Sequence, residues 1–267
     1  MLVIVSRSLR ESRRALIGWT VGVSVFLSVY LFAAYPSLVG DPSLAGQMAR
    51  VKFPGAMRDL MGGLADFTTA AGYLQTLIYQ LFGPMLFIGC ATGLANRAIA
   101  GPEESGTLEL TMALPLTRGR LVAERLAAMA LGLLAMAAVT LLVAWAAVVS
   151  NGMNVPFGRL LAAHLGVYLV ALLCGTLCLL AGAATGSKGI ALSVVGVAAV
   201  GGYVVETLGK QVPVLEWARW ISPFHYYLEG RPIHDGLPVV DYLVLLGATA
   251  VLAVGAILAF DRRDVGV

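Results

Sequence analysis

Charge in this chain works as punctuation. No Asp, Glu, Lys or Arg occurs in 15–40, 67–96, 126–158, 160–187, 189–205 or 242–260. A helix rising 1.5 Å per residue needs roughly 17–25 mostly apolar residues to cross ~30 Å of hydrocarbon. All six windows reach that length, the fifth only just. The expected fold is therefore an all-α polytopic membrane protein with six transmembrane helices, the whole of 1–267 forming one transmembrane domain. A membrane β-barrel would need apolar and polar residues in alternation, and the windows lack it.

Composition agrees. Charged residues make up 12% of the chain and mean hydropathy is +0.85, whereas a soluble domain carries about a quarter charged residues. A net charge of +3 without a basic stripe interleaved with aromatics excludes nucleic acid as a partner. The basic residues set the orientation. Eleven precede span one or lie between spans two and three, between four and five, or after six; seven lie on the other side. The richer side is expected to be cytoplasmic, with both termini inside a cell (plasma or inner) membrane. The first apolar run is far longer than the ~7–15 residues of a cleavable leader's core, so a retained helix is expected.

Chemistry is mostly missing from the sequence. His164 lies near the start of span four, where interfacial solvation is cheap, and Glu206 and Lys188 lie at span ends; no buried carboxylate chain is expected to carry a coupling ion. "GAATGSKG" (182–189) fails as a phosphate loop, because Ser187 precedes Lys188 and Gly189 follows it. It reads as a hairpin. Neither a His-Glu-x-x-His zinc helix nor a Gly-x-Ser-x-Gly elbow occurs, so no catalytic residue is assigned. His225 and His234, near Glu229 and Asp235, offer metal-type ligands in what reads as a solvated loop. Cys90, Cys174 and Cys178 all fall within spans and read as small apolar side chains. Cys174 and Cys178 share a face, but no His or acid stands where a metal site would need it. The expected protein is a conduit with no energy source of its own.

Three segments outside the windows are expected to be ordered. Residues 1–14 place Leu2, Val5 and Leu9 on one face, the pattern of an interfacial helix lying along the membrane before the chain turns into it. Residues 102–115 begin with Pro102, Glu103 and Glu104, suited to a helix N-terminus, and end where Pro115 stops helical geometry. A surface helix follows, apolar side to the bundle and acidic side to the cytosol. The external segment 206–241 carries Trp217, Trp220, Phe224, Tyr226 and Tyr227, suited to short helices at headgroup depth. Within span two, Gly83-Pro84 is expected to produce a kink.

The stretch "EESGTLELTMALPLTRGRLVAER" (103–125) resembles the pattern after the second span in permeases of the type-2 ATP-binding-cassette (ABC) transporter family. There a Gly-Thr-Leu-Glu core followed by a Pro-x-x-Arg elbow forms the coupling helix that docks on an ATPase. "ISPFHYYLEG" (221–230) resembles that family's outer Ser-Pro-Phe motif, here Ser222, Pro223 and Phe224, and the tail "FDRRDVGV" is similar to its usual C-terminus. The resemblance implies a half-size exporter permease that pairs with a second copy or a sister permease. A separate ABC ATPase subunit would bind ATP and Mg and drive it. It also implies that Glu103, Glu104, Gly106, Thr107, Glu109 and Arg118 transmit motion from the ATPase, and that substrate passes between two permeases along spans one, two and five. Tyr30, Tyr79 and Gln80 are candidate lining residues, and an amphipathic or hydrophobic substrate suits an uncharged path. The same docking helix would serve a non-transporting scaffold or regulator that merely anchors an ATPase.

Overall fold

The computed structural model describes residues 2–40, 69–108 and 117–263, and every regular element among them is helical. Six helices are long and apolar enough to span a bilayer: Val5–Leu38, Ala70–Ala98, Arg118–Ser150, Phe157–Thr185, Lys188–Leu208 and Val239–Arg262, spans one to six. Their order is the one expected from the charge gaps, with shifted bounds. Span three begins at Arg118, two turns before its charge-free window, since Arg and Glu are good helix formers whose heads can leave the apolar region. It ends where Asn151-Gly152 turns the chain, Gly152 having φ +63°.

Span four is the post around which the others assemble. It packs along spans two and six and also meets three and five, while span one lies along span three. In their most apolar windows, 72% of span four is buried against 17% of span five and 22% of span six. The exposed remainder is apolar, as the outer face of a bundle in hydrocarbon must be. Small residues permit the tight contacts. A Cβ at Gly175 would press on Met129 and Ala91, and one at Gly166 would collide with Tyr227 and Tyr242.

The interfacial helix expected over 1–14 does not stand apart from span one. A single α-helix runs Leu2–Ser28 without a turn near Arg14. The segment holds no Gly or Pro to break it, and Arg125 of span three binds Glu11 at 3.2 Å, holding the charged part of the helix in line.

Two π-helical stretches, Val29–Ala34 in span one and Leu74–Phe82 in span two, meet toward the end of the bundle where Asn151 links spans three and four. A widened turn leaves carbonyls out of the regular ladder, and in a membrane these must find donors. The Tyr73 hydroxyl donates to the Tyr30 carbonyl at 2.9 Å, and the Asn151 amide donates to that of Leu31 at 3.1 Å. At the Gly83-Pro84 step expected to kink span two, the π stretch ends and a regular α-helix begins. The Gly83 N–H reaches back five residues to Ile78, and a side chain there would strike the Ile78 carbonyl.

Candidate functional site

Three features bear on function: an elbow at one end of the bundle, an ion network at the other, and an apolar cleft between them.

The elbow begins with a short helix, Ala100–Glu104. Ala100 is buried against Gly182 of span four, where an added Cβ would lie 3.2 Å from it. The helix expected from Pro102 to Pro115 is not continuous. It stops at Glu104 because Gly106 takes a left-handed conformation, φ +69°, which costs glycine little and other residues more. The Thr107 N–H then bonds the Pro102 carbonyl at 2.8 Å and the Gly106 N–H that of Glu103 at 3.0 Å, closing the helix end as a Schellman motif. Leu108, buried, is helical again; Glu109 and the remainder of the expected helix to residue 115 lie outside the described residues.

Of the elbow's described acidic residues, Glu103 does not face away from the bundle as expected, while Glu104 stays exposed as it binds span five. Glu103 pairs with Arg263 beyond the end of span six, and both side chains are mostly covered. Arg263 also donates to the Ala183 carbonyl at 3.1 Å, and its own carbonyl accepts from Arg118 at 2.5 Å. Gly186, φ +68°, ends span four beneath this pair, and a Cβ there would collide with both partners. Glu104 accepts the Lys188 backbone N–H at 2.7 Å, capping span five, and meets the Lys188 ammonium at 3.4 Å. This carboxylate suits the positive end of a helix dipole. Ser105, Gly106 and Thr107 form the exposed tip. Periodicity alone places both glutamates outward; a partner 84 positions along the chain engages Glu104 at the surface, and one 160 positions along turns Glu103 in.

At the other end, the buried Glu206 closes span five. A carboxylate at a helix C-terminus opposes the dipole and needs cations. Arg219 grips it with two bonds, 3.2 and 3.1 Å, Lys210 lies at 3.2 Å and His225 Nδ1 at 3.2 Å. Glu229 joins through Arg219 at 2.8 Å and Lys210 at 3.4 Å. Burial opposes ionisation of Glu229, but the charges of Lys210 and Arg219 outweigh it and hold its carboxyl below the ordinary value. Bonding to Glu206 raises the Arg219 guanidinium above its usual range, against the effect of burial. Glu206, His225 and Glu229 bring ligand atoms within 4.8 Å of one another. They do not fit a metal ion, because Arg219 and Lys210 already neutralise both carboxylates and stand where the ion's charge would fall. His234 is not part of the group, and Asp235 pairs with Arg231 at 3.2 Å.

The Ser-Pro-Phe motif joins this network to the cleft. The Ser222 hydroxyl accepts from the Phe224 N–H at 3.1 Å as a helix cap and donates to the Gly202 carbonyl of span five at 2.8 Å. Pro223 occupies the first turn of helix Pro223–Leu228, where a missing N–H costs nothing. Phe224 packs edge-on against Tyr203, ring centres 5.6 Å apart, and both border the cleft.

That cleft lies between spans two and five, has a volume of about 510 Å³, and is lined mainly by apolar side chains. Of the three candidate lining residues, Gln80 borders it. Tyr79 is buried, and its hydroxyl bonds His164 at 2.6 Å while its carbonyl accepts from Tyr227. His164 is thus a core histidine with a partner, not an interfacially solvated one. Tyr30 stacks on Phe26 and Phe82, 4.4 and 5.6 Å between centroids, away from the cleft. Gly93 thins span two along the cleft, whereas a Cβ at Gly89 would meet the Trp19 ring of span one at 3.1 Å, so the two glycines at four-residue spacing serve different neighbours.

Fold and cleft together define a multi-pass helical membrane protein whose ordered polar groups serve helix ends. The family model for the ABC-2 family transporter protein matches residues 2–265, and the chain belongs to that family. It is a membrane transport permease by class, of a family that normally works with an ATPase subunit. No curated protein matches this sequence.

Proposed function

We propose that this chain is the translocation subunit of an ATP-driven exporter. It pairs with a second copy or a sister permease and takes its driving force through the elbow from a separate ATPase that binds ATP and Mg. The elbow and both termini are then cytoplasmic. The observation that carries this reading is the attachment of the elbow to three spans at once. Glu104 holds the first residue of span five, Glu103 holds Arg263 after span six, and Ala100 sits on the end of span four. Spans two and five are the walls of the cleft. The elbow continues from span two and grips span five, so a displacement of the exposed Ser105–Thr107 tip moves one wall against the other. Glu103, Glu104 and Arg118 act as internal linkage on this reading, and Gly106 and Thr107 present the contact to the motor. The test is reconstitution with the ATPase that copurifies with the chain. Thr107→Lys should abolish stimulation of ATP hydrolysis and substrate flux while leaving the melting temperature unchanged. Full stimulation by that variant, or ATP hydrolysis without flux by the native complex, would overturn the reading.

A further inference from the structure

The apolar cleft has a charged mouth. A second cavity, about 470 Å³, opens between the elbow and span five and is bordered by Asn96, Arg97, Ser105, Thr107 and Lys188. Gly93 lines both cavities, so the two adjoin at a position where even an added Cβ would meet nothing. From Gln80 to Arg97 the groove follows span two for ~25 Å at 1.5 Å per residue, longer than one leaflet of a ~30 Å hydrocarbon core. Its volume lies in the ordinary range for small-molecule sites.

Polarity is segregated along that length. Met85, Ile88, Val195 and Val200 make the long part apolar, and no ionisable acid or base borders it except the Tyr203 phenol at the far end. At the mouth, Arg97 is exposed and no acidic side chain among the described residues pairs with it. Lys188 shares its charge with Glu104, whose carboxylate is already engaged by the Lys188 N–H. The mouth therefore carries a net positive potential next to a hydrocarbon-like slot, and a cation placed there would meet Arg97 and Lys188 with no free carboxylate to offset them.

From this arrangement we infer that the groove binds an amphiphile with a long apolar chain and one anionic headgroup, a carboxylate, sulfate or phosphate monoester, with the head at Arg97 and the chain along spans two and five. The inference rests on the transport reading in treating the cleft as part of the path, and names its substrate class. Guanidinium suits such heads because its planar donors match their oxygens.

Photolabelling of the isolated chain in phosphatidylcholine nanodiscs tests it without any ATPase, so failure of the coupling reading would leave its outcome intact. Two probes carry the same mid-chain diazirine on a sixteen-carbon chain, one ending in carboxylate and the other in trimethylammonium. Adducts are mapped by mass spectrometry. The carboxylate probe should label the cleft flanks of spans two and five at least about fivefold more than the cation, the scale of one partly exposed ion pair. Arg97→Gln should bring the ratio close to one. Arg14→Gln, a basic residue of span one outside the groove, should leave it unchanged. Gly196→Phe, which places a ring in the open part of the cleft, should suppress labelling by both probes. Equal labelling by the two probes, adducts spread evenly over the lipid-facing sides of spans five and six, or a preference indifferent to Arg97→Gln would overturn the assignment.

Discussion

The two ends of span five are held by ions in opposite styles. At its last turn, Glu206 is 1% exposed and bound by three partners, and Glu229 closes the set. At its first residue, Lys188 and Glu104 form one pair with both side chains about 40% exposed. Buried, mutually satisfied charges are costly to separate, whereas exposed pairs contribute little and are screened by salt. The contrast describes a helix anchored at one end and releasable at the other, as a wall driven from the elbow would require.

The largest effect should come from breaking the anchored end. Glu206→Ala removes the buried carboxylate that Arg219 and His225 share and leaves Arg219 and the half-exposed Lys210 to Glu229 alone; it should cost about 3 kcal/mol, the low end for breaking a buried pair, read as a large drop in melting temperature in detergent. A variant melting like the native chain would show that the network does not hold the structure. Next in size is Gly106→Ala, which forces a Cβ into left-handed geometry at about 1–2 kcal/mol. Hydrogen exchange at Ser105–Thr107 should rise with little change elsewhere.

Glu104→Gln and Lys188→Gln should each cost about 1 kcal/mol or less, and the double variant little more than either alone. Both should reduce ATP-driven flux more than they reduce stability, which would separate the releasable end from the anchored one. The smallest effect is with pH. Because Glu229 is held below its ordinary carboxylate value, its contribution is present above about pH 4.3 and is lost as pH falls through the depressed folded value. Mild acid, near pH 5, should therefore leave the segment 209–238 as protected from proteolysis as at pH 7. Protection should fall only below about pH 4.

Much of this architecture is legible in the chain because a bilayer imposes one rule everywhere. Gaps between charges gave six helices in order, and the hairpin at Gly186–Ser187 followed from glycine and a capping serine. Features that depend on a single local residue were within reach. Ser105-Gly106 marks a helix end, which the reading of 102–115 as one helix passed over. Features built by distant partners were not. Nothing near Glu103 or Glu104 announces Arg263 or Lys188, and Glu206 reads as an ordinary span end until Arg219 and His225 fold onto it. The π stretches left no pattern, since Val29–Ala34 and Leu74–Phe82 look like any apolar helix.

The buried post has a consequence for how such a chain can diverge. Span four touches four neighbours, and glycines at 166 and 175 leave no room for even one added carbon. Spans five and six leave most of their apolar surface outside the bundle's own packing, where one aliphatic residue serves as well as another. Saturation mutagenesis should therefore find tolerance arranged by helix, with nearly every change refused along span four. Broad exchange of Leu, Ile and Val should be accepted on the outer faces of spans five and six, so that drift leaves the post legible long after the surface has been rewritten.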